Sequence, residues 1–297
     1  MTASLSVIIP SVNGWDDLAG CLEALEAERR NLEIEAVVID RVGEPLRAKV
    51  RARFPWVVVL DAPRGTTIPD LRAMGFARAE AEAVAVIEDH IVVPPGWGRQ
   101  MLEAQMAGAD VVGGAVENLA TDRLIDRAAF LCEYSHLLPP LPEGPVGSLA
   151  GNNVVYRRSI LERYREVVTA GRWENYLHDA MRADGLELIS RPDIRVGHKK
   201  PYTMREYVSQ RFLYSRSYAG GRAETWPWWR RTIYGVAALG LPVLLLWRVV
   251  STVWRKGVNR VEIIRALPLL LVFVVSWGVG ETVGAWAGQG DALSRVC

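Results

Sequence analysis

Cysteine is scarce in this sequence and excess charge is almost missing. Cys21, Cys132 and Cys297 are scattered over 297 residues with no C-x-x-C pair. That spacing excludes a zinc ribbon or a dithiol redox centre and fits reduced thiols in a cytoplasmic domain. A formal net charge of +1 leaves no basic footprint for nucleic acid. Half of the residues are hydrophobic, which excludes a disordered chain. Neither G-x-G-x-x-G nor G-x-x-x-x-G-K-[ST] occurs, and "PSVNGWDD" after the first apolar run holds one glycine. A backbone cradle for phosphates is therefore not expected. The opening "MTASLSVIIPSVNG" has no basic n-region and too short an apolar run for a signal peptide, so it reads as a first strand.

Present instead is a regular alternation. "LSVIIPSV" precedes "WDDLAGCLEALEAE", "IEAVVID" precedes "EPLRAKVRARF", "VVVLD" precedes "IPDLRAMGFARAEA", and "VAVIED" follows. Short β-branched runs alternating with amphipathic stretches predict an α/β domain over residues 1–200, with a mostly parallel sheet covered by helices on both faces. Ligands of such sheets sit at the carboxyl ends of the strands. Those ends carry Asp40, Asp61 and the pair Glu88 and Asp89. A rim of carboxylates repels an anion unless a divalent cation intervenes; with one, the same oxygens can hold a diphosphate. Asp61 either contacts that ligand or caps the following turn.

These segments resemble the inverting nucleotide-sugar glycosyltransferases of family two, which have the Rossmann-like GT-A fold. "SVIIPSVNG" is similar to the family's opening strand, with Pro10 and Asn13 at its proline and asparagine. "VVID" resembles its second strand, which implies that Asp40 contacts the base or ribose of the donor. "VIEDHIVVPPGW" is similar to the metal-binding segment, a D-x-D followed by prolines and a tryptophan. "GSLAGNNVVYRRS", Gly147 to Ser159, resembles the small-residue loop on the acceptor side. Arg72 and Gly75 of "LRAMGFA" stand where the family has R-N-x-G near the nucleotide, with Ala73 replacing the asparagine. The resemblance covers residues 5–200 and implies donor contacts from Pro10, Asn13, Asp40, Arg72, Glu88 and Asp89.

Two departures shape the expected chemistry. In the D-x-D register the chelating pair becomes Glu88 and His90, with Asp89 between. His198, in "RVGHKK", either approaches the ion from the far side or is structural. Imidazole suits Mn²⁺ better than Mg²⁺, so Mn²⁺ is the expected cofactor and Mg²⁺ the alternative. The competing reading of Glu88–His90 is a solvated turn at a strand end. The resemblance also implies a general base early in a helix, within "RWENYLHDAMRADG". At about 100° per residue, Glu174 lies roughly 60° from the apolar Leu177, and Asp179 roughly 160° from it. Glu174 is thus expected at the pocket margin as the base, with His178 one turn on and close enough to pair with it; a plain surface glutamate is the other possibility.

After residue 200 the composition changes. Residues 201–231 interleave Tyr202, Tyr207, Phe212, Tyr214 and Tyr218 with Arg205, Arg211, Arg216 and Arg222, which suits an amphipathic interfacial linker at a membrane or contact with a phosphate-bearing acceptor, or else a solvated amphipathic helix packing on the catalytic domain. Residues 232–290 hold two apolar runs, Thr232–Trp247 and Ala266–Gly280, flanked by tryptophans and read as two membrane helices. Gly240 and Pro242 can kink the first, and the basic stretch Arg248–Arg265 between them can form an interfacial helix. His136 lies in a proline-rich loop that can belong to an acceptor lid.

The expectation is a cell-membrane-anchored, metal-dependent transferase with its catalytic domain in the cytoplasm. It would move a sugar from a UDP- or GDP-sugar to a hydroxyl on a lipid-linked or envelope glycan, in contact with membrane lipid. The rival is a non-catalytic, membrane-tethered sugar-nucleotide-binding scaffold. A sugar-phosphate nucleotidyltransferase would need the missing glycine-rich loop.

Overall fold

The structure is a computed structural model and describes residues 3–297. In chain order its elements are β1 (Leu5–Ser11), α1 (Trp15–Glu28), β2 (Ile34–Asp40), α2 (Glu44–Arg53), β3 (Val58–Asp61), α3 (Ile68–Arg78), β4 (Ala83–Val86), β5 (Ile91–Val92), α4 (Trp97–Met106), β6 (Val111–Asn118) and α5 (Leu124–Tyr134). There follow β7 (Gly144–Val146), β8 (Val154–Arg157), α6 (Arg158–Arg163), α7 (Arg165–Val168), α8 (Glu174–Ala183), β9 (Leu188–His198), α9 (Met204–Ala223), α10 (Trp228–Ala238), α11 (Leu241–Lys256) and α12 (Arg260–Ala287). The chain divides into two compact units: residues 3–119 with 137–199, and residues 120–136 with 200–297.

The first unit is built on one mixed sheet in the order β3-β2-β1-β4-β8-β6-β9-β5, with β7 beside β9. β1 is parallel to both β2 and β4. All seven β1 residues are buried, as a strand covered on both faces requires, and each large aliphatic such as Ile8 or Ile9 contributes about 1.5–3 kcal/mol. Pro10 is tolerated in this central strand for a geometric reason. The carbonyl of Ile8 accepts from Ile87 on the β4 side, so Pro10, two residues on, faces that side too. The β1–β4 ladder has ended at Ile8 and Val86, and the missing N–H breaks no bond.

Beyond β4 one strand reverses, because β8 runs against both β4 and β6, while β6 and β9 are again parallel to one another. The sheet is thus mostly parallel, as expected from the alternation, and in its N-terminal half helices connect consecutive strands. Strand order reverses between β1 and β4, the switch point at which open α/β sheets bind ligands. β8 begins at Val154 opposite Val86, which delivers Asn152 and Asn153 to the same place. β9 reaches it from the other side: three extra residues bulge out between Arg191 and Arg195 opposite Gly114 and Ala115. A side chain at Gly114 would run into the backbone of Ile194, so the bulge needs glycine there. After it β9 ends with His198 beside Ile91.

Gly75, expected near a nucleotide, serves packing instead. A Cβ there would overlap Ile8 and come within 2.8 Å of Ile39, so its lack of a side chain lets α3 lie on β1 and β2. Thr67 caps α3 by accepting from the backbone of Asp70 at 3.2 Å.

The second unit is helical. α9 packs along α12, and a Cβ at Gly280 or Gly284 would strike its backbone at Phe212 or Arg216. Its start carries a capping box between Thr203 and Glu206. α12, at 28 residues, is long and apolar enough to cross a membrane. The first apolar run is not one straight helix: it breaks at Gly240 into α10 and α11, bent by 52°, as Gly240 and Pro242 allow. The stretch Arg248–Arg265 is not a helix of its own. It is shared between the end of α11 and the start of α12, which are divided at Gly257 in the left-handed region (φ 74°).

Candidate active site

Glu88, Asp89 and His90 leave the sheet where β4 stops, and the Ile91 amide closes the turn on the Glu88 carbonyl at 3.0 Å. The three side chains differ in what they do. Asp89 is fully buried. Its Oδ2 accepts from the amides of Val12 and Asn13 at 2.8 and 2.9 Å, and its Oδ1 from Asn13 Nδ2 at 2.6 Å. Oδ1 also lies 3.1 Å from His90 Nδ1. Within the protein Asp89 has a supporting role. Its oxygens tie the end of β1 to β4 and fix the His90 ring, as a carboxylate behind a ligating histidine does. Asn13 stands inside this network.

With Nδ1 held by Asp89, the Nε2 edge of His90 is left for the site. It lies 3.0 Å from His198 Nε2 and 3.3 Å from Glu88 Oε2. One ligand atom from each of Glu88, His90 and His198 falls within 4.8 Å of the others. At metal–ligand distances of roughly 2.1–2.2 Å, neighbouring donors on one ion stand roughly 3.0–3.5 Å apart. The two measured separations match that spacing, so this trio fits a divalent ion, and its two imidazoles fit Mn²⁺ or a later transition metal better than Mg²⁺. It is not a solvated turn, since His90 and His198 are both buried.

The electrostatics agree with a site built for a cation. Burial opposes charge on His90, but its bonds to Asp89 and Glu88 outweigh this and push its pKa up to about 10. Burial would raise the Glu88 carboxyl; the His90 bond and charge, then Arg72, pull it down to about 2. In the ion-free protein a proton on His90 thus occupies the place that a metal charge would take.

Arg72, on α3, is buried and reaches across the site. Its Nη1 donates to Glu174 Oε2 at 2.6 Å, and its Nη2 stands 3.7 Å from Glu88 Oε1. Burial disfavours its charge, while Glu174 and Glu88 favour it and leave its pKa raised. Glu174 opens α8, its side chain 24% exposed against 70% for Asp179, in accord with the helical geometry. Both Arg72 and Glu174 line a small cavity with Gly151 and Tyr156, and a Cβ at Gly151 would overlap the Glu174 carboxyl. His178 does not pair with Glu174 as expected. It lies in the core, where its Nε2 meets the Tyr156 hydroxyl at 2.8 Å, because Arg72 already holds the glutamate.

Asp40 and Asp61 are farther from this centre in function. Asp40 is fully buried; it accepts from the amides of Val42 and Gly43 at 2.9 and 3.0 Å and from Arg47 at 3.3 Å, which shapes the turn into α2. Asp40 therefore supports that turn. Asp61 pairs with Arg47 rather than capping the turn that follows it.

Sequence reasoning misses the two asparagines before β8. Asn152 Nδ2 donates to Glu88 Oε2 at 3.1 Å. Asn153 donates to the carbonyls of Ala115 and Ile194 at 2.9 and 3.1 Å and accepts from Trp97 Nε1 at 3.0 Å, joining β6, the β9 bulge and α4. The "GNN" preceding an apolar strand is the available signal.

A family model described as Glycosyl transferase family 2 matches residues 6–165, which takes in β1 through α6. The match therefore includes Pro10, Asn13, Asp40, Arg72 and Glu88–His90 and stops short of Glu174 and His198. No curated protein matches the chain.

Proposed function

Because the chain belongs to glycosyl transferase family 2, we propose that it transfers a sugar, with inversion, from a UDP- or GDP-sugar to a hydroxyl of a lipid-linked or envelope glycan. The observation that carries the reading is the convergence of Glu88, His90 and His198 at the β1–β4 switch point, joined through Arg72 to Glu174. In this reading Glu88, His90 and His198 hold Mn²⁺, or Mg²⁺ less well. Such an ion, when bound, neutralises the diphosphate that leaves with the nucleoside.

The other steps belong to side chains. Asp89 keeps His90 oriented, Asn13 and Asn152 hold Asp89 and Glu88, and Asp40 supports the β2–α2 turn beside the nucleoside. Glu174 accepts the proton of the attacking hydroxyl, with Arg72 fixing its carboxylate.

The second unit would hold the enzyme at the cell membrane with the first unit on the cytoplasmic side. α12 is long enough for this, and α11 turns Val243, Leu244 and Trp247 outward. Incubating the full chain with a panel of UDP- and GDP-sugars, Mn²⁺ and a membrane glycolipid extract tests the transfer. Donor binding without turnover in any extract would favour a sugar-nucleotide-binding scaffold, and absence of donor binding would refute both. Retention in the membrane pellet after carbonate washing tests the anchor.

A further inference from the structure

The helical unit contains a cavity of about 170 Å³ whose walls come from the end of α5 and from α9, α11 and α12. Its chemistry is unlike that of the rest of the unit. Arg211, only 7% exposed, lines it with the guanidinium between the rings of Tyr207, Tyr214 and Trp277, at 5.1, 5.6 and 5.3 Å. One nitrogen donates to Glu133 at 2.9 Å. Its Nε is buried and has no hydrogen-bond partner among the described residues, a costly condition for an ionised donor.

Further positive charge gathers beside it. Arg248 is a second lining residue, the Lys256 ammonium donates to the His136 carbonyl at 2.9 Å, and the charges of both bear on the His136 ring. Glu133, the acid in the lining, is already paired with Arg211. The rest of the wall combines Cys132, Ser135 and His136 at the end of α5 with an apolar side from Leu245, Val249, Val274 and Trp277. On the same helix as Leu245 and Arg248, Val243, Leu244 and Trp247 are exposed.

We propose that this cavity binds the phosphate of an anionic membrane lipid. A phosphate offers the acceptor oxygens and the negative charge that the Arg211 guanidinium in the lining and the neighbouring Arg248 and Lys256 favour. The first carbons of the lipid would meet Leu245 and Val249, and its chain would continue along the outward face of α11. The volume admits a phosphate head and the start of a chain but not a nucleotide-sugar. The inference goes beyond sugar transfer and does not depend on it, since every residue involved lies in the helical unit.

The test uses the full chain in detergent, offered phosphatidic acid, phosphatidylcholine or inorganic phosphate, with native mass spectrometry and thermal melting as readouts. Wild type should retain phosphatidic acid and melt at a higher temperature with it, and should show neither response to phosphatidylcholine or inorganic phosphate. Arg248→Glu, at an exposed position, and Leu245→Trp, which fills the cavity, should each weaken phosphatidic acid binding at least about tenfold while melting like wild type in phosphatidylcholine. Wild-type retention by either variant would overturn the proposal. So would equal retention of phosphatidylcholine, or binding of inorganic phosphate with phosphatidic acid refused. None of these outcomes bears on donor binding by the first unit.

Discussion

Arg72 donates to Glu174 at 2.6 Å while its other terminal nitrogen stands 3.7 Å from Glu88, so one buried guanidinium spans the proposed base and the proposed metal carboxylate. A base held in this way is oriented before the acceptor arrives. Glu174→Gln keeps an oxygen for Arg72 but cannot take a proton. The variant should bind donor as wild type does and transfer about 10²–10⁴-fold more slowly, measured by calorimetry and by single-turnover transfer. Unchanged transfer would remove Glu174 from the mechanism.

The position of Glu174 depends equally on what is missing beneath it. Gly151 carries no side chain, and a methyl group there would overlap the Glu174 carboxyl. Gly151→Ala should therefore displace the base without touching the core. The expected result is a kcat reduced at least about tenfold, as a misplaced reacting group costs, with a near-normal Kd for donor and a near-normal melting temperature.

The features legible in the sequence are those set by local pattern. An apolar run such as "LSVIIPS" becomes a buried strand because parallel neighbours and helices cover both of its faces, and the acids at the end of β2 and just beyond β4 fall there because the sheet interior excludes charge. Glu88 and His90 can be named as candidate ligands from the resemblance of their segment to a D-x-D, and His198 from its place at a strand end. What joins them is not local. His198 stands 108 residues beyond His90 in the chain, and it reaches the trio through a β9 bulge that depends on the absent side chain of Gly114, a contact no local pattern encodes.

Other features are illegible for the same kind of reason. The partners of Asp89, Arg72 and His178 are set by tertiary packing: helical spacing places His178 one turn from Glu174, but it cannot reveal that Arg72 has claimed the glutamate and Tyr156 the histidine. The assignment of α5 to the helical unit is likewise hidden, because its amphipathic pattern is the same whichever unit it packs in.

The metal reading separates ligands from their support. Glu88→Ala and His198→Ala each remove a proposed ligand and should abolish Mn²⁺ binding, read by electron paramagnetic resonance in the absence of donor. Asp89→Asn leaves all three ligands in place but weakens the bond that orients His90. It should lower Mn²⁺ affinity about 10–100-fold, the usual cost of losing a carboxylate behind a ligating histidine. Wild-type Mn²⁺ binding by His198→Ala would place the ion elsewhere.

His178 supplies a pH dependence that is independent of the metal. Burial pushes its pKa down from 6.5 to about 4, with Glu174 opposing and Arg72 adding to the fall, so the folded protein keeps the ring neutral to accept from Tyr156. The unfolded chain takes up a proton near pH 6.5 and the folded chain only near pH 4. Stability from this group is therefore fully present above pH 6.5 and is lost as the pH falls from 6.5 through 4, by an amount on the order of 3 kcal/mol. Other carboxylates titrate in the lower part of that window, so the comparison must be with a variant. His178→Gln retains an acceptor for Tyr156 and does not titrate. Its melting temperature should fall less than that of wild type between about pH 7 and about pH 4.5, a span that covers most of the shift. Parallel losses in the two proteins would show that the ring is already protonated in the fold and that the Tyr156 hydroxyl is not its donor.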